Sequence, residues 1–285
     1  MSALAGPSRV SRLTQSSAAS VLLWTSRTLF GLLVAYPLLQ AIKVSGMVGG
    51  PEGDAVLFRP GSLLLLELVR VGLPELSASL RSALVLSAFS AFAQLIPLAM
   101  ALDFLCFEAS PLSARWRRAL QLFPRFLSLG AIAVSSQAAL LLMASLLSAA
   151  LKSPLQGVDE RLSTLLPLGL LVLALVGCGW IGCVLDIARA ALVREEQSWR
   201  DALLVALTRL RERPLALLMG GYPVAAASVF GYLCCVWLMA RLELWRPLSL
   251  NLAMSFASHQ AAVLFAVAFR VRWLRRALEL SGSDR

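Results

Sequence analysis

Six stretches of the chain carry almost no charge, and each is near twenty residues long. A helix rises about 1.5 Å per residue, so each stretch can cross roughly 30 Å of hydrocarbon. Helices are favoured because an unpaired backbone group is too costly in lipid. The pattern predicts an all-α membrane bundle of six transmembrane helices, at residues 28–48, 83–105, 127–151, 164–185, 215–240 and 249–269.

Arginine-rich amphipathic segments precede or separate these spans. Residues 10–26, 113–126 and 186–213 mix apolar and basic positions, which is typical of a helix in the membrane interface, and we predict all three on the cytosolic side. Residues 55–81 hold an apolar run too short to cross. An interfacial helix on the outer side is expected there, and a re-entrant segment lining a cavity is the alternative.

The composition supports a membrane location. The chain of 285 residues is 59% hydrophobic and 15% charged, with a mean hydropathy of +0.78, which leaves too little polar surface to cover a soluble core. Arg9 and Arg12 precede the first apolar region, but no clear small-x-small cleavage site follows. The sequence therefore predicts an uncleaved first anchor and a single integral membrane domain over residues 1–285.

The net charge of +10 raises the question of nucleic acid, which binds clustered Lys and Arg. Here the basic residues flank the spans instead, so we expect the bilayer as partner and no nucleic acid. Of the 26 basic residues, 18 fall on the side predicted to be cytosolic and 8 on the other. This asymmetry predicts both termini in the cytosol. Because 24 of the 26 are Arg, we expect the inner membrane of a bacterium with a GC-rich genome.

A weak internal repeat follows the spans. Asp103 and Asp186 each end a returning span, and each lies thirteen residues before a tryptophan, Trp116 or Trp199. A similar phrase surrounds Trp273. These matches predict three two-span units at 10–106, 113–187 and 198–276, arranged as parallel repeats. Chance similarity is the alternative.

A carboxylate near a membrane boundary is costly unless it is hydrated or paired. Asp103 and Asp186 are both placed there, and Arg270, or the local Arg189 and Arg115, could supply the partner. Simple hydration at the interface is the alternative to pairing.

Polar residues inside the spans allow two interpretations. Interhelical hydrogen bonding is one, and a pathway or ligand site is the other. The residues concerned are Gln94, Gln137, His259 and Gln260.

Basic and aromatic residues of the cytosolic segments are candidates for contact with anionic lipid headgroups, although many membrane proteins carry such belts without lipid specificity. The candidates are Arg115, Trp116, Arg117, Arg118, Trp199, Arg275 and Arg276, with Trp273 beside them.

The sequence motifs do not indicate a specific chemical activity. The segment Gly177-Cys178-Gly179-Trp180-Ile181-Gly182 matches G-x-G-x-x-G, but the dinucleotide fingerprint needs a preceding strand and this one lies in an apolar helical span. Close helix packing at Gly179 and Cys183 is the better interpretation. One histidine and five dispersed cysteines do not make a metal site or a disulfide framework. We predict no catalytic, cofactor or metal site, and no enzyme.

Three short motifs carry a resemblance. These are the Leu-Asp-Ile-Ala-Arg run at 185–189, the Trp-Arg-x-Ala-Leu phrases at 116–120 and 199–203, and Arg213-Pro214. The chain resembles a broad group of largely uncharacterised bacterial six-span membrane proteins, among them the membrane domain that precedes some glycerophosphodiester phosphodiesterases. The resemblance would span most of the chain, and it implies no catalytic domain and no functional residues here.

The predicted function is therefore non-enzymatic. We expect a membrane-embedded assembly or accessory component that binds lipid or a membrane protein partner. The alternative is a small transporter or channel subunit that uses the polar residues of the inner spans.

Overall fold

The computed structural model describes residues 9–44, 64–107, 110–155, 160–242 and 249–282. Over these residues the chain forms helices and no strand, so the predicted all-α fold is confirmed there. The helices are α1 (Arg9–Val44), α2 (Leu64–Ala93), α3 (Leu95–Cys106), α4 (Leu112–Leu155), α5 (Glu160–Glu195), α6 (Trp199–Glu212), α7 (Pro214–Arg241) and α8 (Ser249–Ser281).

Five helical stretches in the described part of the chain are long and apolar enough to cross a membrane. At most 28% of the apolar window of any of them is buried, so most of their apolar side chains face outward, as lipid-facing positions do. In α7 the described apolar run is shorter, at Val229–Arg241. The five stretches are Leu13–Pro37, Ser77–Cys106, Leu112–Leu151, Leu165–Glu195 and Ala253–Ser281.

Two predicted surface helices are not separate elements. The segment 10–26 continues into the first span within α1, and the segment 113–126 continues into the third span within α4. Arg, Leu and Ala are strong helix formers, so the change from basic to apolar sequence does not interrupt the backbone. As a result α4 has 44 residues and is about 66 Å long, far more than the bilayer needs.

The segment 55–81, predicted as an outer helix or a re-entrant loop, also differs from its prediction. Residues 55–63 lie outside the described residues. From Leu64 onward the chain forms the continuous helix α2, so the prediction of a separate helix was wrong for residues 64–81. The break comes later, at Gln94, between α2 and α3. Pro97 has no N–H to donate to the carbonyl of Ala93, which accounts for a turn at this point.

The contacts between residues divide the chain into two compact units. Unit 1 comprises Met1–Ala19, Ala99–Ala226 and Phe269–Arg285, and unit 2 comprises Ser20–Leu98 and Ala227–Ala268. In unit 1 all ten residues 184–193 of α5 are buried. A surface helix normally buries only one side, whereas this stretch of α5 is buried on all sides. It is therefore the centre around which unit 1 packs.

A glycine pair in α7 lets that helix lie close to the centre of unit 1. A Cβ added at Gly220 would lie 2.6 Å from Cζ3 of Trp273, and one added at Gly221 would meet the Sγ of Cys183. Gly182 of α5, in contrast, has no atom within 4 Å of an added Cβ. Only glycine therefore fits at positions 220 and 221 without movement of the neighbouring side chains.

This contrast gives a matched prediction. We expect Gly220→Ala to lower the free energy of unfolding by about 1–3 kcal/mol, because the buried Trp273 ring must shift. Gly182→Ala should be neutral or stabilise by up to about 1 kcal/mol, since alanine favours a helix over glycine. Thermal unfolding of both variants in one detergent measures the difference. Equal midpoints would contradict the close approach at Gly220.

Candidate functional site

The carboxylate of Asp186 lies at the centre of unit 1 and is fully buried. Arg270 of α8 donates to both of its oxygens, from Nη1 to Oδ2 at 2.5 Å and from Nη2 to Oδ1 at 2.6 Å. Arg189 donates to Oδ1 at 3.2 Å, and Trp273 Nε1 donates to Oδ2 at 2.8 Å. Asp186 thus accepts four hydrogen bonds, which compensate for its removal from water. We call these four residues the Asp186 cluster.

Asp103 forms a second buried cluster, at the end of α3. Arg115 donates to its Oδ2 at 2.9 Å and Arg118 to its Oδ1 at 2.7 Å. Arg115 also donates to the carbonyl oxygens of Ser110 and Phe107, at 2.9 and 2.8 Å, and its guanidinium lies 4.2 Å from the centre of the Phe104 ring. Asp103, Arg115 and Arg118 are called the Asp103 cluster below. It joins the end of α3 to the start of α4.

The turn between α5 and α6 is fixed from α4. Glu196 has a positive φ of 52°, a left-handed conformation that is uncommon for a residue with a side chain. Arg125 donates from Nη1 to the carbonyl oxygens of Glu196 and Gln197, at 2.8 and 3.0 Å. Ser198 then caps α6 by accepting from the backbone N–H of Asp201 at 3.3 Å. Both carbonyl oxygens of this turn therefore have a partner, and the start of α6 is capped.

Helix α6 lies against α5 through Ala202 and Ala206, which are fully buried. Its outer side exposes apolar and basic residues together: Leu204 is 61% exposed and Leu207 is 46% exposed, and Arg200 and Arg211 are also exposed. At the other end, Arg209 donates to the carbonyl oxygen of Gly282 at 2.7 Å. Helix α6 is thus held at its start, along its inner side and at its end.

A groove of about 490 Å³ runs between α4, α5 and α6 within unit 1. Its lining is almost entirely apolar, with Ser136 the one hydroxyl among the residues that form it. Helix α6 contributes Leu203, Leu207 and Leu210 to the lining, and α5 contributes Trp180. The groove therefore suits an apolar chain.

The polar residues predicted inside the spans have different surroundings. In unit 1, Gln137 donates from Nε2 to the carbonyl oxygen of Cys178 at 3.0 Å, which ties α4 to α5. In unit 2, Gln260 Oε1 accepts from Trp24 Nε1 and Thr28 Oγ1, both at 3.0 Å. His259 is exposed, with its ring 6.1 Å from that of Tyr232. The Gln137 and Gln260 side chains thus each form hydrogen bonds between two helices.

Gln94 is half-buried in unit 2, at the break before α3. Its backbone N–H donates to the carbonyl oxygen of Ser90 at 2.9 Å, and its own carbonyl oxygen accepts from Leu98 at 3.1 Å. The helical hydrogen bonds on either side of the break are therefore kept.

The residues predicted to contact headgroups separate into two sets. Arg115 is only 3% exposed, so its proposed role at the headgroups is corrected: its donors are used by Asp103 and two backbone carbonyl oxygens. Trp273 is likewise buried in the Asp186 cluster. The remaining candidates stay at or near the surface. Trp116, Arg117 and Arg276 are exposed, and Arg118, Trp199 and Arg275 are half-buried.

Several residues of the site did not stand out in the sequence. Glu196 takes the left-handed conformation of the α5–α6 turn, but nothing in its spacing distinguishes it from other surface charges. Arg194 lines a polar cavity with the same lack of signal. The buried position of Trp273 could have been inferred from the apolar positions Ala266, Ala277 and Leu280 on the same helix, since residues four and seven apart share a face.

The G-x-G-x-x-G match lies inside α5, without the preceding strand that a dinucleotide site requires. An added Cβ at Gly177 would lie 2.5 Å from Cδ2 of Leu140, and one at Gly179 would lie 3.6 Å from the Tyr222 ring. These two glycines therefore serve contacts between α5 and its neighbours. Within the described residues, no group of three or more His, Cys, Asp or Glu side chains is placed to hold a metal ion.

Comparison of the chain with protein-family models, with curated proteins and with solved structures finds no match. The resemblance carried by residues 185–189 and the Trp-Arg-x-Ala-Leu phrases stays a prediction. The function must therefore be argued from the geometry of the chain itself.

Proposed function

We propose that this chain is a non-enzymatic, six-span protein of a bacterial inner membrane, and that it acts as an assembly or accessory component by binding anionic lipid. The observation that carries the proposal is the apolar groove between α4, α5 and α6, together with the mixed leucine and arginine surface of α6. A lipid has the same two parts, an acyl chain and a charged headgroup.

The outer side of α6 fits the membrane interface. Leu204 and Leu207 are exposed, and exposed leucines on a short helix are favourable where they meet acyl chains. Arg200 and Arg211 lie on the same exposed side, and arginines near a membrane surface attract anionic headgroups by about 1 kcal/mol each. In this proposal an acyl chain lies in the groove and the two arginines meet the headgroup.

Six spans are proposed by adding α7 to the five apolar stretches. Helix α7 has 28 residues, about 42 Å, and its described apolar run supports a crossing. Six crossings bring both termini to one side, and the excess of basic residues there supports the cytosol. In a variant without native cysteines, Ser2→Cys and Arg276→Cys should each react with an impermeant maleimide only in opened cells. Labelling of just one of them in intact cells would contradict this topology.

The three-unit repeat is also a proposal, and one shared feature supports it. Asp103 and Asp186 each accept from two arginine side chains. The donors do not occupy repeated positions, however, because Arg115 and Arg118 follow Asp103 by twelve and fifteen residues, whereas Arg270 follows Asp186 by 84. The repeat would thus be one of helix order and not of individual contacts.

A role in transport gains less support. The Gln137 side chain donates to a backbone carbonyl oxygen, and the Gln260 side chain accepts from Trp24 and Thr28. Such bonds between helices support packing over a pathway. Neither the groove nor the polar cavity beside Arg194 is lined by Gln94, Gln137 or His259.

Filling the groove tests the lipid-binding proposal. Leu203→Trp should displace a few methylenes of the bound chain, at about 0.8 kcal/mol each, and so lower the retained phospholipid roughly tenfold. Native mass spectrometry of the detergent-purified protein, with added phosphatidylglycerol, measures the retained lipid. The neighbouring Leu204→Trp is the control, because Leu204 is exposed and does not line the groove.

Two further observations complete the test. Both variants should keep the thermal unfolding midpoint of the parent chain, so that a loss of lipid cannot be a loss of fold. Equal lipid retention in Leu203→Trp and the parent chain would overturn the assignment of the groove. Equal retention of phosphatidylglycerol and phosphatidylcholine by the parent chain would overturn the preference for anionic lipid.

A further inference from the structure

The groove between α4, α5 and α6 follows the axes of two helices. Along α4 its lining residues are Ile132, Ser136 and Leu140, and along α5 the lining begins at Gly177 and ends at Leu185. Residues four apart lie on one face of a helix, so each helix contributes a single stripe. The groove therefore has two ends, one at each end of these stripes.

Contacts between α4 and α5 show which end lies near α6. Arg125 of α4 donates to the carbonyl oxygen of Glu196 at 2.8 Å, and further along α4 the Leu140 side chain lies beside Gly177. The two helices are therefore antiparallel. Helix α6 follows Glu196 in the chain, so the end of the groove at Leu140 and Gly177 is the end farther from α6.

The Leu140 side chain closes the groove at this far end. A Cβ added at Gly177 would lie 2.5 Å from Cδ2 of Leu140, so the leucine packs directly against the backbone of α5. Among the described residues, none of α4 beyond Leu140 and none of α5 before Gly177 lines the groove. The next position of the α4 stripe is Ala144, which is small and half-buried. Leu140 is thus the side chain that ends the groove.

The length of the α4 stripe limits how much of an acyl chain fits. Ile132 and Leu140 are eight residues apart, or about 12 Å along the helix axis. A fully extended polypeptide advances at most about 3.6 Å over the three backbone bonds of each residue, and an extended hydrocarbon chain likewise advances about 1.2 Å per bond. The groove therefore accommodates about ten carbons.

We propose that Leu140 sets the length of acyl chain that the groove accepts, which is about ten carbons of one chain of an anionic phospholipid. The assignment rests on the proposed function, because it needs a lipid in the groove. The headgroup lies toward α6, where Arg200 and Arg211 are exposed, and the buried part of the chain ends against Leu140.

Native mass spectrometry of the full chain, purified in detergent, tests the length limit. The probe is an equimolar mixture of dioctanoyl, didecanoyl, dilauroyl, dimyristoyl and dipalmitoyl phosphatidylglycerol. Each buried methylene raises affinity by at most about fourfold. We expect retention by the parent chain to rise severalfold from the dioctanoyl to the didecanoyl lipid and then to level off.

Leu140→Ala should move this limit toward longer chains. It opens the groove as far as Ala144, one turn or about 6 Å further, which is room for about five more carbons. Relative to the didecanoyl lipid, the dimyristoyl lipid should be enriched at least about threefold over the parent chain, a small part of the gain that full burial of the added methylenes would give. Comparison on one mixture cancels the preference of the detergent micelle.

Ser136→Phe should act in the opposite direction. Its ring would stand halfway along the α4 stripe and leave room for about five carbons, so retention from the didecanoyl lipid upward should fall at least about tenfold. Leu142→Ala is the matched control for Leu140→Ala, because Leu142 is 60% exposed on α4 and does not line the groove. Its lipid distribution should be that of the parent chain.

The outcomes separate this assignment from the proposed function. A parent chain that retains no phosphatidylglycerol would show that the groove holds no lipid, and both would be wrong. A parent chain that retains the lipid, with the same distribution in Leu140→Ala, would overturn the role of Leu140 alone. An equal shift in Leu142→Ala would also overturn it. A gain of long-chain lipid in Leu140→Ala only would support it, since loss of fold cannot produce a gain.

Discussion

Replacing Asp186 with asparagine is expected to cost about 3–5 kcal/mol of folding free energy, the largest effect of any conservative substitution among the residues that the structure describes. The carboxylate is fully buried and accepts from Arg189, Arg270 and Trp273. An asparagine amide has the same shape, but its NH₂ group would face donors, and two guanidiniums would lose their counter-charge. We expect a low yield of monodisperse protein and a clear fall in the thermal unfolding midpoint in detergent.

A double-mutant cycle decides whether the effect arises from pairing. Arg270→Gln alone should destabilise less than Asp186→Asn, because its side chain is 28% exposed and can reach water. The double variant should be less destabilised than the sum of the single changes. Additive effects would show that Asp186 and Arg270 act independently. Asp201→Asn provides a control with the same chemical change, since Asp201 is exposed at the first turn of α6 and should cost no more than about 1 kcal/mol.

Arg115→Gln is expected to have the second largest effect, about 3 kcal/mol. Arg115 is 3% exposed, and it donates to Asp103 and to the carbonyl oxygens of Phe107 and Ser110. A shorter, neutral side chain would leave part of the Asp103 charge and at least one carbonyl oxygen without a partner in a buried place. Thermal unfolding in detergent measures the loss.

Arg117→Gln is the matched control for this change. Arg117 lies two residues further along α4 and is exposed, so its replacement should change the free energy of unfolding by no more than about 0.5 kcal/mol. If the two variants unfold at the same temperature, Arg115 does not hold the start of α4. If Arg117→Gln is the more damaging, the assignment of the two arginines to interior and surface is wrong.

The class of fold followed from the sequence because length and apolar composition suffice to predict membrane helices. The continuity of the helices did not, because a change from basic to apolar residues, as in α4, leaves the backbone propensity unchanged. The residues that could break a helix were only partly informative. Pro97 accompanies a turn at Gln94, whereas Pro37, Pro167 and Pro223 lie inside continuous helices.

The candidate site could be anticipated where one residue type is costly in its place. A carboxylate near a membrane boundary needs a partner, so the sequence predicted that Asp103 and Asp186 pair with one of a few arginines. The sequence does not distinguish which of those arginines are buried. Arg115 and Arg117 differ by two positions in one basic segment, yet one is buried and the other exposed. That distinction depends on the rotation of α4 against its neighbours, which a mixed Arg and Leu pattern does not fix.

The Asp186 cluster also sets an order of events during synthesis. Arg189 leaves the ribosome just after Asp186, but Arg270 and Trp273 follow 84 and 87 residues later. A nascent chain that has delivered α5 to the translocon therefore carries a carboxylate with one of its four hydrogen bonds until α8 arrives. Final assembly of unit 1 is then expected only after α8 has been synthesised, and chains that stop before Phe269 should be recognised by membrane proteases as unfinished.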